Sequence, residues 1–282
     1  MIPKKIHYCW LSNDKMSDIA KKCIATWRKV LPDYELFLWN ASNFDINSIK
    51  FVKQAFEMRK WACAADYIRL YAVYNEGGIY LDTDVYVLKN FNDLLGYDYF
   101  SSLERDLTTI PPDSEYFQNY KNNENFEPQN TDIQRIEGFG LQAAIFGGKA
   151  GNAFIKDCMS WYENNDFLLP NGKPIISTGL IAPDIYASIM QNYGFKYKSG
   201  LQKLNNNMLI LPADNFPNHL YKTDNAYAVH ICENSWNMIK KKNNNNLLAD
   251  FIKRNNVLRK ILGKKPYYSW EKIINTGGEY KL

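Results

Sequence analysis

The chain has 282 residues, 46% of them apolar and 15% aromatic, with a formal net charge of +4. That length and apolar content suffice for one large core and exclude disorder of the whole. No apolar run is long enough to span a bilayer, and the opening residues MIPKKIHYCWL lack the features of an export signal, so a cytoplasmic protein is expected.

The charge is uneven. Residues 240–282 hold eleven Lys or Arg against three acids, a local +8 that leaves −4 for the rest. The five cysteines, Cys9, Cys23, Cys63, Cys158 and Cys232, are odd in number and show no CxxC spacing, which reads as core thiols rather than ligands or bridges.

In chain order, Ile6 to Leu11 is predicted as a first strand. A helix is predicted from near Ser17 to Val30, with Ile19, Cys23, Ile24, Trp27 and Val30 as its apolar face. Tyr34 to Trp39 gives a second strand and Ile46 to Met58 a second helix. Lys60 to about Asn75 carries Ala64, Tyr67, Ile68, Tyr71 and Tyr74 at helical spacing and stops at Gly77-Gly78. Ile79 to Leu88, IYLDTDVYVL, is β-branched and aromatic, the composition of one buried strand.

Further on, Tyr97 to Leu103 is another expected strand, and 105–136 is a polar surface insertion, either a lid or a disordered segment. Gly138 to Gly148 reads as a buried strand and Asn152 to Tyr162 as a helix. Thr178 to Tyr193 reads as a helix that Pro183 kinks. Short strands follow near Met208 to Leu211 and Ala226 to Cys232. The alternation predicts an open α/β sheet in which ligands gather beyond the carboxyl ends of strands, where Trp10, Asn40, Asp82 and Asp84 fall.

Two carboxylates inside an apolar strand are costly to bury without compensating partners or a metal. On a strand Asp82 and Asp84 would point the same way and meet one cation, and their oxygens suit Mg²⁺ or Mn²⁺. On the preceding helix, Asp66 and Arg69 share a face at i, i+3. The plain alternatives are a chance triplet and an intrahelical ion pair.

Three ordered blocks, IPKKIHYCW at Ile2 to Trp10, AADYIRLYAVYNEGGIYLDTD at Ala64 to Asp84 and HICENSW at His230 to Trp236, resemble one family. It is the DXD glycosyltransferases, which include yeast-type initiating mannosyltransferases, bacterial capsular sugar transferases and the catalytic domains of large clostridial glucosylating toxins. The resemblance implies a GT-A fold, a Rossmann-like sheet flanked by helices, over residues 1–240. It also implies a UDP-sugar donor, Mn²⁺ or Mg²⁺ as cofactor and retention of anomeric configuration.

By the same resemblance, Trp10 stacks on the base, against the alternative of a core tryptophan. Asp66 contacts donor hydroxyls, and Arg69 the donor sugar and diphosphate. Asp82, Asp84 and His230 are implied as metal ligands, with Asn40 and Tyr80 lining the donor pocket. Ser235 and Trp236 close over the diphosphate by donating to its oxygens. His7 is read as a packed core residue.

Two other classes remain open on the sequence: a phospho-aspartyl phosphatase, whose strand also ends in DxD, and a non-catalytic sugar-binding module. The acceptor is expected to be an oligosaccharide or a lipid-linked glycan of a capsular or surface polysaccharide. The extension 241–282, apolar and cationic over 247–265, is expected either to lie on an anionic membrane surface or to pack on the domain. It lacks a nucleic-acid reading motif.

Overall fold

Short β-rich runs alternating with helical periods build a mixed α/β architecture over residues 1–104, 139–218 and 224–232, which the computed structural model describes. The first three strands, β1 (Lys5–Cys9), β2 (Glu35–Trp39) and β3 (Gly78–Leu81), run parallel with β1 in the middle. Between them lie α1 (Asp18–Val30), α2 (Lys50–Glu57) and α3 (Trp61–Glu76). Helix α1 starts where a hydroxyl precedes the apolar period: Ser17 accepts from the Ala20 N–H and caps the first turn.

The remaining elements are β4 (Val85–Val87), β5 (Tyr99–Ser102), β6 (Ile145–Gly148), α4 (Ala153–Asn164), α5 (Ala182–Met190), β7 (Gln202–Leu204), β8 (Met208–Leu211) and β9 (Ala228–His230). Seven strands form one sheet in the order β2-β1-β3-β6-β5-β8-β7, while β4 and β9 form a separate antiparallel pair. The carboxyl ends of β1, β2 and β3 therefore share one edge, as expected from the α/β pattern.

Helix α3 is the centre of the larger core. Nine of its residues are buried, and Arg69 is the only charged one among them. A helix apolar on nearly every side must be covered all round, and α3 packs on β1 and β3 as well as on α2 and α4. The chain leaves it through Gly77 and Gly78. Gly78 has φ +118, and a Cβ there would stand 2.8 Å from the Lys5 carbonyl oxygen, so only glycine fits.

The structure corrects three sequence expectations and adds one strand that none foresaw. The single strand Ile79 to Leu88 is two strands in two sheets, because the Val85 N–H bonds back to the Asp82 carbonyl at 3.0 Å and turns the chain. Trp27, at the heart of α1, holds the second piece in place by donating to the Val85 carbonyl at 2.7 Å. Of the expected strand Gly138 to Gly148, the part described begins at Phe139, and there only the last four residues are a strand. Pro183 does not kink a long helix: it lies in the first turn of α5, where no backbone N–H is needed, and separate 3₁₀ turns flank that helix. Strand β7 carries the polar sequence QKL, without an apolar pattern that would announce it. The 105–136 insertion, Ser235, Trp236 and the 241–282 extension lie outside the described residues.

Candidate active site

The break between β3 and β4 places Asp82, Thr83 and Asp84 in a turn at the carboxyl edge of the parallel strands. Strand β4 then pairs with β9 so that Val85 stands opposite His230. The two carboxylates are brought together with His230 through a turn and a second sheet, not through strand alternation. Asp82, Asp84 and His230 each offer one ligand atom, and these atoms lie within 4.8 Å of one another.

Beneath this triad sits Arg69, its side chain 5% exposed. Nη1 donates to the Ala143 carbonyl at 3.0 Å, and Nη2 reaches Asp66 Oδ1 at 3.1 Å and Asp82 Oδ1 at 3.4 Å. The guanidinium carbon lies 4.9 Å from the centre of the Tyr80 ring, and the Tyr80 hydroxyl donates to Asp82 Oδ1 at 2.7 Å. The Asp66–Arg69 pair is thus an intrahelical ion pair, but buried and shared with the DXD carboxylate rather than solvated. Such a planar fork holding three partners at once is a task for arginine, not lysine.

Electrostatics follow from the burial. Burial pushes the Asp66 carboxyl up to about 7, helped by Asp82 and opposed by Arg69. At His230, burial disfavours the imidazolium, but the neighbouring Cys232 and the bonded Asp84 outweigh it and hold the group well above its ordinary value. Asp84 Oδ1 is 3.3 Å from His230 Nε2. Burial likewise pushes the Cys9 thiol, beside Arg69 and Tyr80, up to about 12. All five cysteines are free thiols.

Trp10 follows β1 directly. It is half-buried outside the core clusters, with its indole N–H on the Asp14 carbonyl at 2.8 Å and its backbone N–H on the Trp39 carbonyl at 3.0 Å. Asn40 follows β2, and its carboxamide oxygen accepts from the Ser42 N–H and hydroxyl at 2.9 and 2.6 Å, shaping a turn. His7 is a core residue as read: Nε2 pairs with the Gly77 carbonyl at 2.8 Å, and Nδ1 accepts from Trp39 at 3.1 Å. The carbonyls of Ala143 and Ala144 escaped the sequence reading, since a backbone group leaves no residue signature. The signal available was Gln142, one polar residue inside the apolar run GFGLQAAIFGG.

Two carboxylate oxygens and an imidazole nitrogen are a donor set that could hold a divalent cation. Residues 17–101 match the family described as glycosyltransferase sugar-binding region containing DXD motif, a span that includes Asp66, Arg69, Tyr80, Asp82 and Asp84. The matched stretch, residues 17–101, is that of a DXD-type sugar-binding region of glycosyltransferases, and it holds two of the three side chains that meet here.

Among curated proteins, the chain is similar to inositol phosphoceramide mannosyltransferase 3 of Schizosaccharomyces pombe (strain 972 / ATCC 24843), with 31% identity over 107 residues. That match covers 34% of this chain and 28% of the relative, so the chain spans well under half of the relative's length. Solved structures it resembles include the PaToxG glycosyltransferase, at TM-score 0.44 and 18% identity over 68% of this chain and 69% of that one. Mouse xyloside xylosyltransferase 1, apo form, gives TM-score 0.44 at 10% identity, covering 81% and 97%. Galactosyltransferase LgtC, solved with donor and acceptor sugar analogues, gives TM-score 0.41 at 15% identity, covering 81% and 87%.

Proposed function

We propose that the chain is a cation-dependent transferase that moves a hexose from a UDP-sugar to a glycan acceptor with retention of anomeric configuration. The observation that carries this reading is the meeting of Asp82, Asp84 and His230 within 4.8 Å, directly above the buried Arg69. Mn²⁺ or Mg²⁺ held by these three side chains would neutralise charge on a departing diphosphate. Everything else in the step belongs to the protein's own groups.

Arg69 supplies a fixed positive charge whose geometry is set before any ligand arrives. Its partners Asp66, Asp82 and the Ala143 carbonyl leave it little freedom, so no reorganisation is needed as charge develops nearby. Tyr80 holds Asp82 by its hydroxyl and supports Arg69 with its ring face. Trp10, at the same strand edge, offers an aromatic plane for the uracil ring. In this reading the acceptor hydroxyl attacks from the face the diphosphate leaves, and its proton passes to the leaving phosphate.

The setting we propose is synthesis of a bacterial capsular or surface polysaccharide on the cytoplasmic face of the membrane, with the basic 241–282 extension as the surface contact. No helix among the described residues is long and apolar enough to cross a membrane. A panel of nucleotide sugars with Mn²⁺, scored for hydrolysis and for thermal stabilisation, tests the reading. A response to at least one UDP-sugar, lost in Asp84→Ala, is expected; silence toward every UDP-sugar overturns it.

A further inference from the structure

Gln142 is a neutral polar side chain, 3% exposed, in the turn that precedes β6. A buried carboxamide must satisfy both of its ends, and the partners it takes reveal what it holds together. Its oxygen accepts from the Ala144 N–H at 3.1 Å, closing the turn on itself. Its nitrogen donates to the Phe216 carbonyl at 3.3 Å, across to the segment that leads toward β9. The turn is pinned further by the Gln142 N–H on the Ser102 carbonyl at 2.8 Å and by the Ser101 hydroxyl on the Gln142 carbonyl at 2.9 Å.

Both ends of that carboxamide lead to the cation-holding residues. On one side, the Ala143 carbonyl receives Arg69, and the Ala144 carbonyl receives the Asp82 N–H at 2.9 Å. On the other, Pro217, next to Phe216, accepts the His230 N–H at 2.9 Å. Asp82 comes from the end of the large sheet, and His230 from the separate two-stranded one. The β4–β9 ladder ties His230 to Val85, whose N–H bonds the Asp82 carbonyl, and Gln142 is a second bonded route that ties the two halves from the other side.

We infer that Gln142 is a positioning residue that sets the separation of the Asp82–Arg69 half of the site from the His230 half. This rests on the cation reading above. The Gln142 side chain bonds backbone groups of Ala144 and Phe216 rather than the side chains of Asp82, Asp84 or His230. It acts by holding two backbone carbonyls and one loop, and removing such outer partners weakens cation binding by about 10–100-fold in other sites.

The test compares Gln142→Met, which keeps the side-chain volume and loses both bonds, with Gln202→Met. Gln202 is also buried and bonded at both ends, to Lys196 and Lys198, but sits at the far edge of the sheet. Mn²⁺ affinity, read from the electron spin resonance signal of free Mn²⁺ well below each melting temperature, should fall about 10–100-fold in Gln142→Met and stay near wild type in Gln202→Met. Equal affinity in Gln142→Met and wild type, or equal losses in the two variants, overturns the inference and leaves the cation reading intact. A wild type that binds no Mn²⁺ overturns both.

Should Gln142→Met not fold, hydrogen exchange of the wild type with and without Mn²⁺ decides. Slower exchange at Asp82, Ala144 and His230 together supports the linkage. Protection at Asp82 with none at Ala144 overturns it.

Discussion

Asp84 and His230 lie 3.3 Å apart across the β4–β9 ladder, a carboxylate and an imidazole paired by two strands that belong to neither end of the main sheet. Cys232 and Asp84 overcome burial and raise His230 well above its ordinary value, so without a cation the imidazole keeps its proton to higher pH. A divalent cation has to displace that proton. Mn²⁺ affinity should therefore rise with pH, by up to about tenfold per unit below the His230 value, and binding should release a proton. Calorimetry of Mn²⁺ binding in two buffers of different ionisation enthalpy measures both; a pH-independent affinity contradicts the pairing.

The two halves of the cation site should not contribute equally. Asp84→Ala removes a charged oxygen ligand and the carboxylate partner of the His230 imidazole, so cation binding and sugar transfer should drop below detection. His230→Gln removes a neutral ligand and spares both carboxylates, so Mn²⁺ affinity should fall by about 10–100-fold with measurable turnover at saturating Mn²⁺. Titrating turnover against Mn²⁺ for each variant separates the two outcomes.

Arg69→Lys keeps the charge and loses the fork. One ammonium cannot serve the Ala143 carbonyl, Asp66 and Asp82 together at the distances seen. Turnover should fall by at least about 100-fold, the scale of losing one preorganised charge donor. A variant that folds, as judged by circular dichroism, and turns over at the wild-type rate would remove Arg69 from the mechanism.

Asp66 should reveal itself in stability. Its folded value is raised to about 7 from 3.8, so the folded state holds this proton more tightly than the unfolded chain. The group costs nothing below the unfolded value and becomes progressively destabilising as pH climbs through it toward about 7. In cation-free buffer, Asp66→Asn should lose less stability than wild type between pH 4 and 7, a relative gain of at most about 4 kcal/mol. Thermal melts across that range test the sign.

Gly78→Ala should be destabilising by about 2 kcal/mol or more, from positive φ and the Lys5 carbonyl in the way. Because Gly78 opens the strand that delivers Asp82, the loss should appear in melting temperature first, and in turnover only as the fold loosens. Chemical denaturation of the purified variant measures it.

The elements with a strong period were legible in the sequence. Helix α3, the Gly77-Gly78 exit and the parallel strands β1 to β3 follow from apolar spacing and punctuation, and Asp66, Arg69, Asp82 and Asp84 stand out as charges within them. What periodicity could not show was a strand breaking in two. IYLDTDVYVL has strand composition throughout, and only the pairing of Val85 to Val87 with Ala228 to His230, plus the Trp27 bond, pulls its second half into another sheet. Similarly, β7 is a strand only because β8 lies beside it.

The sequence alone determined which chemistry was available: a pair of carboxylates one residue apart, an arginine a turn from an aspartate, and a histidine far down the chain. Those are local facts, written in residue type and spacing. Tertiary structure decided that they meet. Contacts between Asp84 and His230, between Arg69 and the Ala143 carbonyl, and between Gln142 and Phe216 join segments distant along the chain, and no local propensity encodes them. They exist because the buried faces of α3 and β3 to β6 can be covered in few ways, and covering them brings these polar groups to one edge, where they satisfy one another.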